Sequence, residues 1–509
     1  MSLLAQVWLR SMNALAEKSS VLYAIITSIF AIIGYGYVFI FPILTVSSLG
    51  LLIDTALTKS PMQWGLNDWL ASVAMLLTGA ACAWISSKII KIKPDLPAGK
   101  PLLAKDFPAL FDRITEICTS FGAPEIHHVK LTPHFRIEII RTPVGGFPFK
   151  HSNTLLIGLP VMSSTSPLQL KLLLARQIGH LALARKSLAR KLIYLQHTLK
   201  AYKHVYGRSW QPETILLRLF FCWYSPFFNL TSTKIAQLES IHKDACMLEI
   251  TPSDSVAAVI IDFHIKKLFI KTRFWPALNN SAFKLENPPY LPYANIKNFI
   301  EKNLDQNIIK LMFEEEFDHE IELDSKIPNL KSRLHAIGYD EFIASDDITD
   351  YAIDYFFENQ ANDICKQLDN VWSLKNKKIW AEKYNQGIEE KKQLAEMRNQ
   401  ITKSLLSDEE ILEYIRLIDK YVSPEKTLPL YKEIATTNPQ DGDLCLDLGR
   451  ILLKANDSSG INLLKTSMAV NPNYTVECCN QIVEYLVNHG DNKEAQNYRR
   501  IILEYQADN

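Results

Sequence analysis

The stretch LLARQIGHLAL, residues 173–183, sets Arg176, Gln177 and His180 on an amphipathic Leu/Ala-rich helix. Side chains four residues apart share one helix face. Two imidazoles so placed, with a carboxylate beside the first, make the H-E-x-x-H arrangement. That arrangement binds Zn²⁺ and takes a proton from a metal-bound water. Here the spacing and the last residue fit. The first ligand position, however, holds Arg176, a permanent cation that cannot bind zinc. The general-base position holds Gln177, which has no useful basicity. A broken metal site, a rebuilt one and a chance pattern in an apolar helix are the three readings. The elements around the helix must decide between them.

A chain of 509 residues is too long for one compact domain, and three or four units are expected. Lys+Arg and Asp+Glu are both 55, so nothing steers the molecule globally towards nucleic acid or acidic substrates. Glycine is sparse at 18, and long periodic Leu/Ile/Lys/Glu stretches predict a mainly α protein with some β, an α+β class. The eight cysteines include no C-x-x-C pair. They read as reduced, mostly buried thiols rather than a disulfide framework or a thiolate zinc site.

The first 95 residues read as a transmembrane helical hairpin. VLYAIITSIFAIIGYGYVFIFPIL (21–44) and WLASVAMLLTGAACAWISS (69–87) each approach the roughly twenty apolar residues that one crossing needs. The first run is too long for a cleavable signal peptide and is soon followed by the second. Arg10 and Lys18 precede the first span, and Lys88, Lys91 and Lys93 follow the second, with Lys59 set against Asp54 and Asp68 between them. The positive-inside bias then puts both ends, and everything after residue 95, in the cytoplasm. A third apolar stretch, ILLRLFFCWYSPFFNL (215–230), is interrupted by Arg218 and Pro226. It reads as a core helix, or as a membrane-adjacent one with Trp223 and Tyr224 at headgroup level.

In the middle of the chain HHVKLTPHFRIEIIRTP (127–143) alternates like strands, VGGFPF makes a turn, and NTLLIGLPVM (153–162) is a further strand ending in a Gly-Leu-Pro break. A long helix follows, with Ser166 at its N-cap and Pro167 at its first position. A strand therefore leads directly into the helix that carries Gln177 and His180.

These pieces, in order, resemble membrane zinc endopeptidases of the CAAX prenyl protease and HtpX heat-shock protease type. LLIGLPVM and LLLARQIGHL look like the family's GLPL-like segment and L-A-H-E-x-G-H helix. TKIAQLESIHKDACMLE is similar to the helix that supplies the third zinc ligand in an E-x-x-A-D sequence, and IPNLKSRLHAIG (327–338) resembles H-P-S-L-x-x-R-L-x-A-L-G. The resemblance covers roughly 96–345 and implies a zincin-like helical domain with a small β-sheet. A two-span anchor and C-terminal helical repeats also occur in bacterial members. It further implies that the third ligand lies four residues before the family's Asp. Counting back from Asp244 gives Ser240, a neutral hydroxyl. His180 is then the one surviving ligand of three, and Arg136 and Ile137 stand where the family's strand carries Asn-Ala.

Rebuilding the metal site from neighbours fares poorly. Glu239 and His242 flank Ser240, but each residue turns about 100° around a helix, so His242 should point away. Using Glu239 would sacrifice Asp244. His127, His128 and His134 remain unassigned. Asp244 is implied to sit in the second shell, orienting the first ligand, and the residue it would face is now Arg176. A bidentate, charge-assisted pair between the two would hold the helices that Zn²⁺ once organised. Two solvated side chains in an open cleft are the alternative.

Residues 346–420 read as a helical connector. In 421–509, Asn438-Pro439 and Asn471-Pro472 stand about one tetratricopeptide period apart, and Leu448-Gly449 fits the same 34-residue pattern. Such repeats offer a concave surface for a protein or peptide client, or serve as a helical cap. The functional expectation is a membrane-anchored pseudoprotease that needs no cofactor, binds no nucleic acid, and acts in client binding or regulation. The alternative is an active zinc-dependent membrane metalloendopeptidase.

Overall fold

The computed structural model describes residues 3–58, 64–90, 96–144, 151–183, 215–317, 325–401, 408–421, 442–489 and 491–508. Lys59, Lys91, Lys93, most of the VGGFPF turn, the continuation of the helix of Gln177 and His180 beyond residue 183, and Asn438-Pro439 lie outside them. The protein is mostly helical with one small mixed sheet. Two compact units are formed, one by 1–277 with 290–374, the other by 278–289 with 375–509.

In the first unit α1 (Leu3–Lys18), α2 (Ser20–Thr58) and α3 (Leu66–Ile90) come first, and α4 (Pro108–Phe121) follows the first strand. Two segments are long and apolar enough to cross a membrane, Gly36–Thr58 and Leu66–Ile89. The first lies further along the chain than the run 21–44. No charge interrupts the apolar sequence before Asp54, and Pro42 lies inside α2 without ending it. At the crossing of α2 and α3 a Cβ on Gly79 would stand 2.4 Å from Ser48 Oγ, so a small residue is needed there.

The sheet order is β1 (Lys100–Leu102), β2 (His128–Thr132), β4 (His151–Gly158), β3 (Ile137–Pro143). The pair β2–β4 is parallel and the other two pairs are antiparallel. Leu155, Leu156 and Ile157 of β4 are fully buried, as a central strand covered on both faces requires. Beyond Gly158 the chain does not remain extended: Leu159–Met162 forms a short helical turn.

The helix α5 (Pro167–Leu183) then starts where its sequence signals it. Ser166 Oγ accepts from the Gln169 amide at 3.2 Å, and Gln169 Oε1 accepts from the Ser166 amide at 3.0 Å, a reciprocal capping box. Gln169 also donates to Asp262, whose carboxylate takes a 2.6 Å bond from Lys266, and Lys266 reaches the Ser164 carbonyl. Both charges are buried on α8 (Ser253–Phe269), so the start of α5 is tied to that helix by a satisfied ion pair. Leu170, Leu172, Leu174, Ala175 and Ile178 fill the core between sheet and helices. The stretch 215–230 is part of α6 (Ile215–Thr231), which packs one face on α1 and α2. It is followed by α7 (Thr233–Ala245).

The second unit contains helix pairs: Gly442–Lys454 with Ser459–Val470, and Thr475–Asn488 with Asn492–Asp508. A Cβ on Gly449 would lie 2.7 Å from Leu464 Cγ, which explains the glycine of the Leu448-Gly449 signature.

Candidate functional site

Three helices converge on one carboxylate. Asp244, at the end of α7, has no solvent exposure. From α5, Arg176 Nε donates to its Oδ1 at 2.6 Å. From a short helix, α9 (Leu330–His335), Arg333 Nε donates to Oδ2 at 2.7 Å and Nη2 to Oδ1 at 3.0 Å. A second Arg176 donor, Nη2, reaches Ser240 Oγ at 3.1 Å. Four charge-assisted or polar bonds thus knit α5, α7 and α9. Burial pushes the Asp244 pKa up, but Arg176 and Arg333 together outweigh it and hold the carboxyl below its ordinary value.

One helical turn further along α5, His180 Nε2 meets Glu239 Oε2, and both side chains are buried. Gln177, between Arg176 and His180 in sequence, is buried too. The close approach of α5 to the end of α7 rests on Gly179: a Cβ there would lie 2.8 Å from Cys246 Cβ. Lys243, next to Asp244, has its pKa pushed down to about 8, first by burial and then by the Arg176 charge.

The expected residues therefore fall into two neighbouring groups. Arg176, Ser240 and Asp244 form one, His180 the other, with Glu239 as its partner. Arg136 lies apart and pairs with Glu138 at 2.8 Å, while Ile137 is in the core. His128, His134 and His242 are exposed, and His127 Nδ1 accepts from the Asn153 amide at 3.1 Å.

Two contributors escaped the reading of the sequence. Arg333 sits in the quoted IPNLKSRLHAIG segment, and a lone Arg after an Asn-capped turn could have been asked for its carboxylate. Glu239 neighbours Ser240 in sequence, and a single alignment register on Asp244 assigns it no partner. Adjacent helix residues diverge by about 100°, yet α7 presents Ser240 to Arg176 and Glu239 to His180, which lie a turn apart on α5.

The donor set does not fit a catalytic zinc. Arg176 is a cation engaged with Asp244 and Ser240, and Ser240 is a neutral acceptor already used. Among the described residues no group of three His, Cys, Asp or Glu side chains is arranged to hold a metal ion. What the arrangement does chemically is saturate a buried carboxylate with two guanidinium groups and leave one His–Glu pair beside it. No family model, curated protein or solved structure matches the chain.

Proposed function

We propose that this chain is a membrane-anchored protein of zinc-endopeptidase-like build whose metal chemistry has been replaced by an ion-pair lock, and that it binds a client or regulates an active relative. The reading rests on the motif order in 96–345, and one observation carries it: Arg176 and Arg333 share Asp244 at the place where the resemblance puts the metal's second shell. An Arg at a first-ligand position could be simple decay. An Arg whose Nε lies 2.6 Å from a fully buried Asp replaces the lost cation with a fixed one. The C-terminal helix pairs supply the client-binding surface in this proposal, and the hairpin supplies attachment, with the remainder of the chain on the cytoplasmic side.

Metal analysis of the detergent-solubilised full chain, with a chelator-sensitive cleavage assay on casein and on a membrane protein, tests the catalytic half. Stoichiometric zinc with chelator-sensitive cleavage would establish the active endopeptidase instead, drawing on His180 and Glu239. Protease protection of the C-terminus in cytoplasm-out vesicles would reverse the proposed orientation.

A further inference from the structure

We infer that α6 is a third membrane-embedded helix, whose outer face is covered by lipid acyl chains of the bilayer that holds the hairpin. Its outward residues are Ile215, Leu216, Leu219, Cys222, Trp223 and Pro226, and all are exposed. They recur every three or four positions, so they form one continuous stripe. Leu219 is 65 % exposed and Trp223 70 %, values that would be costly for neighbouring large side chains facing water. The sole charge of the helix, Arg218, flanks this stripe and is half-buried.

The depth of the helix follows from what its inner face touches. Tyr37 stacks on Phe220 with ring centroids 3.9 Å apart, and its hydroxyl donates to the Leu216 carbonyl at 3.1 Å. Tyr224 donates to the Phe30 carbonyl, and Tyr23 donates to the Thr231 carbonyl at 2.7 Å. Trp8 Nε1 reaches Thr231 Oγ1 at 3.1 Å. Residues 216, 224 and 231 of α6 thus stand level with 37, 30 and 23 of α2, and the two helices run antiparallel. Tyr37 lies inside the segment Gly36–Thr58 that is apolar and long enough to cross a membrane. The start of α6 therefore meets the first turn of that segment, and the helix then runs for about 24 Å, at 1.5 Å per residue, alongside the shorter apolar stretch Val21–Gly34 of the same continuous α2. Gly34 permits the approach: a Cβ there would lie 2.8 Å from the Tyr224 ring. Along the stretch of α2 that α6 runs beside, Ile25, Ile29, Ile32 and Ile33 are exposed as well, and the same lipid would cover them.

This inference rests on the hairpin entering a bilayer. Cys222 gives a native probe, because it is the exposed cysteine of the chain and Cys118 is the one of intermediate exposure. The Cys118→Ser protein, nitroxide-labelled at Cys222 and reconstituted in phosphatidylcholine/phosphatidylglycerol vesicles, is compared for collisions with oxygen and with a neutral nickel chelate. We expect oxygen to be favoured several-fold over the chelate at Cys222, as at a label placed by Leu51→Cys in the hairpin. Chelate access at Cys222 equal to that of a label at Lys378→Cys, or exclusion of both reagents by a protein partner, would overturn the inference while leaving the hairpin intact. Chelate access at both Cys222 and Leu51→Cys would remove the hairpin reading as well. Quenching by brominated lipid, measured without labels, gives a second readout: Trp223→Phe should lower the quenchable fluorescence, and an unchanged quenched fraction counts against lipid contact.

Discussion

Arg333 grips Asp244 through both carboxylate oxygens, 2.7 Å from Nε to Oδ2 and 3.0 Å from Nη2 to Oδ1. Arg176 therefore does not hold Asp244 alone, and the energetics are those of a triad. Removing the shared carboxylate leaves two buried guanidinium groups facing each other. Asp244→Ala should cost about 3–5 kcal/mol in urea denaturation of the first unit. Adding Arg176→Leu should regain part of the loss and adding Arg333→Met more, because each removes an uncompensated charge. Strict additivity of the three changes would show that the groups are not coupled.

The same triad fixes an acid limb. The Asp244 carboxyl is held below its ordinary value in the fold, so the unfolded chain takes up its proton more readily. Its stabilisation is fully present above the unfolded value near about 4 and is lost as pH falls through the folded value. Asp244→Asn should flatten the loss of stability below that pH, relative to the unmodified protein in the same salt.

Lys243 should act in the same pH sense as Asp244, stability rising with pH, but in an alkaline window and by relief of a penalty. Its pKa of about 8, set by burial and then by Arg176, lies below the ordinary 10.5, so burying the charged form opposes folding. That penalty is complete below pH 8 and is relieved as pH rises towards 10.5, where the unfolded chain still binds the proton. Lys243→Met should raise stability at pH 7 by at most about 3 kcal/mol and remove the gain between pH 7 and 9.5. Denaturation midpoints at the two pH values decide it, and an alkaline gain that survives the substitution would assign it to another group.

Much of this architecture is legible in the sequence because single local signals agree. Ser166 and Pro167 announce the start of α5 by local chemistry alone, and the structure begins the helix there, adding Gln169 as the reciprocal cap partner. The sequence pattern in 127–143 and 153–162 reads as strands, although it cannot give their order, since β4 inserts between β2 and β3 by non-local pairing. The Arg176–Asp244 contact is what the resemblance implies for the two quoted segments, and the structure brings the two side chains together. Arg333 does not, because it arrives from 89 residues further along the chain and no periodicity connects the two. The Glu239–His180 contact is lost for a different reason. It depends on how far α7 is rotated about its own axis, which comes from tertiary packing against α5, such as that of Gly179 on Cys246 just beyond α7, rather than from a pattern within α7.

Gly179 is accordingly a test of how tightly the site is positioned. With a Cβ 2.8 Å from Cys246 Cβ and 3.0 Å from its Sγ, Gly179→Ala should push α5 and α7 apart at a cost of about 1–3 kcal/mol. Cys246→Gly removes two of the three closest atoms, leaving Phe121 Cε1 at 3.0 Å, so in the combined variant the cost of Gly179→Ala should shrink without vanishing. Equal costs of Gly179→Ala with and without Cys246→Gly, by thermal unfolding, would show that the helices do not meet there.

The last prediction separates a lock from a relic. If the helices around Asp244 retain a metal-binding shape, chemistry alone keeps zinc out, and replacing the chemistry should admit it. Arg176→His by itself should bind no zinc, because Gln177 and Ser240 still offer neither base nor ligand. Arg176→His, Gln177→Glu and Ser240→Glu together supply two imidazoles and a carboxylate with His180, and Asp244 remains beside the first of them to orient it. Glu239 now contacts His180 and would compete for it, so adding Glu239→Gln should tighten binding further. Calorimetric titration of each full-length variant with zinc reads this directly, with circular dichroism to establish that each one folds. A folded triple variant that takes up no zinc would mean that the ion-pair lock has its own geometry, and that its likeness to a metal centre is confined to the order of the motifs.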